Sequence, residues 1–318
     1  MGFLPTGLAR AIVWGAGDLA ARRGATMAYL PLMPQRLAEG MRRYRRRFDQ
    51  SAGPLGRLGN LEVRLARSGE EVKRAQRLRY RVFYEEMSAI ANVRALVSGR
   101  DRDPFDKFCD HMLVLDHGKE TGFGRPEIVA TYRLLRQEVA ARYRGFYSSK
   151  EYELDRLIAR HRDRSFLELG RSCVLKPYRT KRTVELLWHG NWKYIRQHGI
   201  DVMVGCASLE GTDPERLAPL LAFLRQTAPA PDDWRVPAVP GRGIPIDQLK
   251  AKPASEVAAL RGLPPLIKGY LRLGAYVCED AVIDYQFGTT DIFMVLPSER
   301  ISTRYINFYG ADATRHAA

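Results

Sequence analysis

The 318-residue sequence contains no hydrophobic run that approaches the roughly 20 residues needed to span a membrane. Its four cysteines are scattered and none lies at metal-ligand spacing from another: Cys109, Cys173, Cys206 and Cys278. We therefore predict small buried thiols in a reducing cytosol, with no disulfide and no metal site. Acidic residues are also scarce, since the sequence has 36 Asp and Glu but 51 Lys and Arg, which gives a net charge of +15. Such a surface attracts an acidic protein, an anionic membrane or a nucleic acid.

The first 58 residues differ in composition from the remainder. A segment rich in Ala, Gly, Pro and Met leads into a basic run at residues 42–47 and then into a short linker. We predict a basic arm over residues 1–58 that associates with an anionic membrane surface, and the alternative is a solvated, disordered arm. This predicts a cytoplasmic protein that lies peripherally on the inner membrane.

Residues 59–318 are predicted to form one folded domain. Hydrophobic alternation and helical periodicity give the order strand, helix, hairpin, strand, helix, strand, helix, which is typical of an α/β fold with a mixed sheet. The first helix is predicted to begin after Ser68 and to end near Met87, and residues 137–160 are also predicted to be helical. Residues 228–265 are proline-rich and predict a long surface loop, followed by a C-terminal extension over residues 266–310.

One apolar strand, residues 166–175, is interrupted by Glu168, Gly170 and Arg171. Unpaired charges inside a core strand cost several kcal/mol, so their presence needs a reason. Residues three apart point to opposite faces of a regular strand, but a bulge adds one residue. A bulge near Gly170 is therefore predicted to turn both charges to one face, aimed into a cleft. The alternative is a structural ion pair at a strand end.

This order of elements resembles the GNAT-like acyl-CoA N-acyltransferase fold, a mixed sheet flanked by helices. The amino-acid sequences of the motifs are similar to those of bacterial ornithine-acyl[acyl carrier protein] N-acyltransferases, the hemolysin-like family. This family is related to autoinducer synthases. The resemblance covers about residues 61–310, and its main motifs are Arg79-Tyr80-Arg81-Val82-Phe83, residues 105–111, residues 130–135, Leu167-Glu168-Leu169-Gly170-Arg171-Ser172, residues 187–188, residues 205–213 and residues 264–274.

The resemblance implies an N-acyltransferase that moves a 3-hydroxyacyl chain from acyl carrier protein to the α-amine of L-ornithine. The product would be lyso-ornithine lipid, formed in the first step of ornithine lipid biosynthesis. No cofactor is expected to be bound, because the donor carries its own phosphopantetheine. The expected partners are acyl carrier protein, L-ornithine and an anionic membrane surface, and no nucleic acid is expected.

The matching motifs also imply the site. Glu168, Arg171 and Ser172 are the candidate catalytic residues, with Glu168 as the base or as a ligand of the ornithine side chain. Backbone N–H groups near Ser172 would stabilise the oxyanion. The candidate substrate-binding residues are Arg79, Phe83, Asp106, Asp110 and Arg133. Arg133 or Arg171 would hold the substrate carboxylate, since a guanidinium matches it with two hydrogen bonds.

The turn that follows the interrupted strand has no glycine, whereas GNAT enzymes bind the coenzyme A pyrophosphate on a glycine-rich turn. It carries four cations instead, which would suit the acidic face of acyl carrier protein: Lys176, Arg179, Lys181 and Arg182. The alternative is a basic loop with no specific partner, on a chain that is basic throughout.

Three other functions compete with this interpretation. An autoinducer synthase would use S-adenosylmethionine, but its usual tryptophan has no counterpart between Phe83 and Trp188. His111 and Asp116 have the spacing of glycerolipid O-acyltransferases, although on a strand they point to opposite faces. A nucleic-acid-binding protein would need stacking aromatics in the basic run, where only Tyr44 and Phe48 are available.

Overall fold

The structure is a computed structural model that describes residues 48, 53–87, 89–122 and 124–302. The basic run at residues 42–47 lies outside the described residues, and so does most of the predicted arm. Among the described helices, none is both long enough and apolar enough to cross a bilayer.

The described chain forms a single nine-stranded sheet with the order β1-β2-β3-β4-β5-β6-β9-β8-β7. Every neighbouring pair is antiparallel except β5 and β6, which are parallel. The strands are β1 (Gly56–Leu58), β2 (Leu61–Leu65), β3 (Asp110–Thr121), β4 (Arg125–Arg136), β5 (Phe166–Val174), β6 (Val202–Glu210), β7 (Gly243–Pro245), β8 (Tyr276–Asp284) and β9 (Thr289–Pro297).

The α-helices are α1 (Gly69–Tyr80), α2 (Val93–Ser98), α3 (Gln137–Ala140), α4 (Leu154–Arg160), α5 (Lys181–His198), α6 (Pro214–Thr227), α7 (Glu256–Gly262) and α8 (Pro265–Leu273). Helix α1 begins where expected, because the Ser68 hydroxyl accepts a hydrogen bond from the Glu71 N–H at 3.2 Å. It continues as a π-helical segment over Arg81–Glu86. Thr180 and Asp213 cap α5 and α6 in the same way.

Two faces of the sheet are covered by different helices. Apolar residues of α5, α6 and α8 pack on one face, against residues such as Met112, Leu134 and Leu169. Helices α1 and α4 pack on the other face. Each fully buried aliphatic or aromatic side chain contributes roughly 1.5–3 kcal/mol, so these layers supply the main driving force for folding.

Two regions predicted from the sequence have more varied structure than expected. The polar segment after α1 contains α2 and a 3₁₀ turn over Pro104–Lys107. The region 137–160 is not one helix but α3, a 3₁₀ turn over Tyr147–Lys150, and α4. Gly145, with a φ of 74°, breaks the helical path between them.

The predicted domain outline is wrong at three places. Residues 228–265 are not a surface loop, because they supply β7 and α7 and bury Val236, Ile246 and Ala259. Their prolines hide the periodicity, while a few apolar side chains anchor the segment. The predicted extension over residues 266–310 is part of the sheet over its described residues 266–302, since β9 lies between β6 and β8. The sheet also begins at Gly56, inside the predicted arm.

Candidate active site

Strand β5 carries a bulge beside its charged residues. Gly170 pairs with Arg133 and Cys173 pairs with Thr131, so Arg171 and Ser172 together face the single residue Tyr132 of β4. The residue with left-handed backbone is Arg171, with a φ of 49°, and not its neighbour Gly170. A non-glycine residue in this conformation is strained by about 1 kcal/mol or more and persists only where its surroundings hold it.

The bulge turns Glu168 and Arg171 to the same face of the sheet, as the sequence predicted. Leu167 and Leu169 pack on the α5 face, whereas Cys173 packs with α1 on the other face. Both charged side chains reach Tyr147: Glu168 Oε2 accepts the Tyr147 N–H at 2.7 Å, and Arg171 Nη2 donates to the Tyr147 hydroxyl at 3.3 Å. Glu168 Oε1 also accepts the Ser148 N–H at 2.7 Å.

Beside the bulge, β5 separates from β6. The parallel pairing ends at Glu168 and Val204, although β5 continues to Val174. The next residue of β6 is Gly205, and a Cβ there would lie 2.4 Å from the Leu169 carbonyl oxygen. Only glycine fits at this point, because any side chain would push the strands apart before the opening begins.

The opening exposes backbone donors of β5. The Leu175 N–H donates to the Val129 carbonyl at 2.9 Å, which lies toward β4. Successive residues of a strand direct their N–H groups to alternate sides. The N–H groups of Val174 and Ser172 therefore point toward β6, on the side where β5 has lost its strand partner.

A buried ion network supports the charged face of β5. Arg79 of α1 is 1% exposed, and its Nε lies 2.8 Å from Asp101 Oδ2. It also donates to both carboxylate oxygens of Asp106, at 2.8 and 2.7 Å. Burial alone would raise the pKa of Asp106, but the charge and hydrogen bonds of Arg79, together with the charges of His111 and Arg133, outweigh that effect and hold the pKa well below its usual range.

Two further arginines complete this network. Arg133 Nη1 lies 3.1 Å from Asp103 Oδ1, and Arg171 donates to Asp101 Oδ2 at 3.2 Å and to Asp103 Oδ2 at 3.3 Å. Burial would lower the pKa of Arg171, but Asp101, Tyr147 and Asp103 together outweigh that effect and raise the pKa. We call these six residues the Arg–Asp network: Arg79, Arg133, Arg171, Asp101, Asp103 and Asp106.

Aromatic rings enclose the outer part of the network. The Arg171 guanidinium lies 4.9 Å from the ring centre of Tyr147 and 4.6 Å from that of Phe287. Arg133 lies 4.9 Å from the same Tyr147 ring. Phe83 packs edge-on against Phe287 at 5.6 Å between ring centres. Side-chain exposure is 13% for Arg171 but only 4% for Arg133, so Arg171 is the more accessible arginine.

Two predicted site residues face the opposite side of the sheet. Asp110 accepts a hydrogen bond from Tyr194 of α5 at 2.6 Å and lies 3.7 Å from Arg136, so the structure does not join it to Asp106. The Ser172 side chain lies beside the buried Tyr132 hydroxyl, and Tyr270 approaches the same hydroxyl. Ser172 is therefore separated from Arg171 by the plane of the sheet.

His111 and Asp116 do not form the pair that an O-acyltransferase would need. His111 Nε2 lies 3.1 Å from the Asp106 carbonyl oxygen. Asp116 accepts hydrogen bonds from the Tyr178 hydroxyl at 2.7 Å and from the Gly118 N–H at 2.8 Å. Their separate partners agree with the opposite faces expected from strand geometry.

The basic turn follows the end of β5 and extends into the first turn of α5, which contains Lys181 and Arg182. All four of its predicted cations are exposed: Lys176, Arg179, Lys181 and Arg182. Arg179 ties the turn to the opening, because its Nε donates to the Val174 carbonyl at 3.0 Å and its Nη2 pairs with Glu86. Lys181 lies 3.5 Å from Glu185 but is 84% exposed, so that pair contributes little to stability.

A second buried acidic group lies next to Ser148. Ligand atoms of Glu151, Cys206 and Asp291 all lie within 4.8 Å of one another. Burial, followed by the nearby charge of Asp291, raises the pKa of Glu151 to about 7. Burial likewise raises the pKa of Asp291 to about 6 and that of Cys206 well above its ordinary value. Cys206 is therefore a protonated thiol, as are Cys173 and Cys278, whose pKa values burial also raises.

Sequence reasoning missed four of the residues that build this face. Asp101 and Asp103 alternate with Arg100 and Arg102 in the polar segment after α1, and this pattern was the available signal. Tyr147 and Phe287 lie in segments with no motif, and only the folded chain brings them to Arg171.

Comparison with known proteins agrees with this geometry. Residues 78–189 match the Acetyltransferase (GNAT) domain family. The chain is 52% identical over 264 residues to the L-ornithine N(alpha)-acyltransferase of Rhizobium meliloti (strain 1021), covering 83% of this chain and 89% of that protein. It is 49% identical to the protein of the same name from Agrobacterium fabrum (strain C58 / ATCC 33970), covering 84% of this chain and 91% of that one. The chain belongs to the L-ornithine N(alpha)-acyltransferase family.

The predicted GNAT acyltransferase fold is thus confirmed, and the chain is an acyltransferase. A solved structure of an N-acyl amino acid synthase from uncultured soil microbes is also similar, with a TM-score of 0.43 and 10% identity over 75% of this chain and 91% of that chain.

The Arg–Asp network generates a stability prediction. Arg79→Gln leaves Asp101 and Asp106 buried without their main counter-charge, so we expect the free energy of unfolding to fall by about 3–5 kcal/mol. Arg77→Gln, on the same helix, is the matched control because Arg77 is 54% exposed. Its loss should be about 0.5 kcal/mol or less. Urea unfolding followed by circular dichroism measures both, and equal small losses would contradict a supporting network.

The raised pKa of Glu151 generates a pH prediction. The folded protein keeps a proton on Glu151 up to about pH 7, whereas the unfolded chain loses that proton near pH 4.5. The free energy of unfolding therefore falls as the pH rises from about 4.5 to 7. Glu151→Gln removes this penalty, and we expect its Tm to exceed that of the parent at pH 8 but to approach it at pH 5. Glu138→Gln, with 52% exposure, is the control. A Tm difference that does not change with pH would contradict the assignment.

Proposed function

We propose that this acyltransferase moves a 3-hydroxyacyl chain from acyl carrier protein to the α-amine of L-ornithine and forms lyso-ornithine lipid, the first step of ornithine lipid biosynthesis. The observation that carries the proposal is the identity of about half over most of the chain to proteins named for this reaction. The arrangement around β5 supports it, because an opening for a thioester adjoins a face that holds both an acid and an arginine.

The donor side of the reaction would use the opening between β5 and β6. A phosphopantetheine arm that enters there brings the thioester carbonyl against the free side of β5. The N–H groups of Ser172 and Val174 would donate to the oxyanion as the amine adds to the carbonyl. Collapse of the intermediate breaks the C–S bond, and the carrier leaves with its thiol. No covalent acyl-enzyme is needed.

The acceptor side would use the two residues that the bulge turns to one face. Arg171 is more accessible than Arg133 and is held by Asp101 and Asp103, so we assign it the α-carboxylate of the amino acid. Glu168 would act as the base that accepts the proton of the attacking amine, directly or through water. An α-amine has an ordinary pKa of roughly 7.7–8.0, so a modest base suffices. The hydrogen bonds from Tyr147 and Ser148 fix its carboxylate in place.

The other members of the Arg–Asp network would position these two residues. Arg79 is fully buried, so it acts through Asp101 and Asp106 and does not touch substrate. Arg133 supports Asp103 from the second side. Phe83 would shape the acceptor pocket by fixing Phe287 over Arg171.

The basic turn would receive the carrier. Acyl carrier protein is acidic, and the exposed cations of the turn lie at the end of β5, next to the opening. Arg179 links the two places through the Val174 carbonyl. The basic arm that precedes β1 is proposed to hold the protein peripherally on the inner membrane, where an acylated amino acid is used.

A thioester assay tests the function directly. Purified protein, 3-hydroxyacyl carrier protein and L-ornithine should release free carrier thiol and form an N-acyl-ornithine detected by mass spectrometry. Parallel reactions with lysine and with S-adenosylmethionine test the acceptor. Absence of turnover with every basic amino acid, or turnover only with S-adenosylmethionine, would overturn the proposal.

The same assay tests the base. Glu168→Gln keeps the size of the side chain and one oxygen for the backbone donors, but it cannot take a proton. We expect kcat to fall by about 10²–10⁴-fold with little change in KM for ornithine. Glu138→Gln serves as the control and should retain full activity. A raised KM at unchanged kcat would instead make Glu168 a ligand of the substrate.

The basic turn generates a separate prediction. Lys181→Glu with Arg182→Glu reverses two exposed charges, so we expect KM for the acylated carrier to rise about tenfold or more while KM for ornithine is unchanged. Lys193→Glu, also exposed on α5, is the matched control. An increase of the same size in the control would show a general charge effect rather than a docking site.

A further inference from the structure

Helix α2 and its surroundings expose an unusual set of large apolar side chains. Ile90 is 68% exposed, Val93 76%, Leu96 59% and Val97 85%, and Tyr285 in the β8–β9 turn is 70% exposed. We call these five residues the apolar patch. Single exposed aliphatic residues are common, but several on one short segment usually mark an interaction surface.

The fold holds these side chains outward. Asn92 caps α2, since its side-chain oxygen accepts the Ala95 N–H at 2.9 Å, and Gly99 ends the helix with a φ of 56°. Ala95 is the only residue of the helix that is buried. The Ile90 N–H donates to the Gln286 carbonyl at 2.7 Å, which joins the segment to the β8–β9 turn.

The two segments that carry the apolar patch, α2 and the β8–β9 turn, both continue into residues of the candidate active site. Asp101, which follows α2 closely, binds Arg79 and Arg171. Phe287, which follows Tyr285 in the same turn, covers the Arg171 guanidinium. A molecule bound at Arg171 therefore lies next to the segments that carry the patch.

The segment that carries α2 is positively charged, since residues 90–100 contain two arginines and no acid, although Asp284 precedes Tyr285 in the β8–β9 turn. Arg94 and Arg102 are exposed and Arg100 is half-buried, and none of the three forms an ion pair within residues 53–87, 89–122 and 124–302. The pKa of Arg102 is lowered by partial desolvation and then by the charges of Arg94 and Arg100, so these two cations lie close enough to act on Arg102.

We propose that the apolar patch and its three arginines dock the enzyme on the surface of an anionic lipid bilayer, with the acceptor side of the active site facing the membrane. A bilayer accepts protruding aliphatic side chains and places a tyrosine at its polar boundary. Anionic headgroups would neutralise the three arginines. This rests on the proposed function, because an acylated amino acid is an amphiphile that leaves the site most easily into lipid.

Vesicle binding by the full chain tests the proposal. Vesicles of phosphatidylglycerol and phosphatidylcholine are compared with vesicles of phosphatidylcholine alone by co-sedimentation. Val93→Ser with Val97→Ser should lower the partition coefficient on the anionic vesicles by about tenfold, because two apolar side chains no longer enter the lipid. Arg94→Gln with Arg102→Gln should lower it by a similar factor and reduce its salt dependence.

Matched variants elsewhere on the surface separate a specific site from general stickiness. Val257→Ser with Leu260→Ser removes apolar side chains that are 61% and 43% exposed on α7, and Arg142→Gln with Arg144→Gln removes two exposed cations. Neither should change binding by more than about twofold. Equal losses in the patch and control variants, or unchanged binding in the patch variants, would overturn the proposal.

A polarity-sensitive fluorophore on Val97→Cys identifies what covers the patch. Its emission should shift to the blue on adding anionic vesicles, while the same label on Val257→Cys should not shift. A label at Val97 that is already blue-shifted without vesicles, or that responds to acyl carrier protein and not to vesicles, would show a protein occupant and overturn the proposal. Thioester turnover in vesicle-free solution should be unchanged in the patch variants, so failed docking is distinguishable from a failed acyltransferase assignment.

Discussion

The rest of the site depends on the neutralisation of charge in the Arg–Asp network. Three arginines and three aspartates, four of them buried and two partly buried, come from α1, the segment before β3, β4 and β5. Each ion alone would be expensive to bury, but together they leave no net charge. The network therefore fixes four separate parts of the chain relative to one another, and it holds Arg171 in the left-handed backbone that the bulge requires.

The bulge and the opening beside it divide β5 into two parts that differ in their pairing. Before the bulge, β5 pairs with both neighbours and is part of an ordinary sheet. After it, β5 has no strand partner on the β6 side within the described chain, and Arg171 shares a face with Glu168. In the proposed mechanism, acyl donor and amine acceptor therefore approach from different directions and meet at one strand. The proposed lipid contact of the apolar patch lies next to the proposed acceptor side.

Much of this could be predicted from the sequence. Glycine and charge inside an apolar strand indicated the bulge, Ser68 indicated a helix start, and the motif order indicated the fold. Residues 228–265 could not be predicted in the same way, because proline-rich segments lack periodicity even when they pack. Asp110 was wrongly grouped with Asp106, since Asp106 lies in a 3₁₀ turn and binds Arg79, whereas Asp110 begins β3 and accepts a hydrogen bond from Tyr194 of α5.

The sequence by itself determined the order of the main strands and helices from β2 to α6, the family motifs, the bulged strand and the excess of positive charge, because each depends on local patterns a few residues long. Tertiary structure alone decided which charges neutralise one another, that Tyr147 and Phe287 enclose Arg171, and that Glu151, Cys206 and Asp291 meet. These contacts join residues far apart in the chain. A local sequence pattern does not show which distant residues come into contact. Burial and charge neutralisation select these contacts only once the whole sheet has formed.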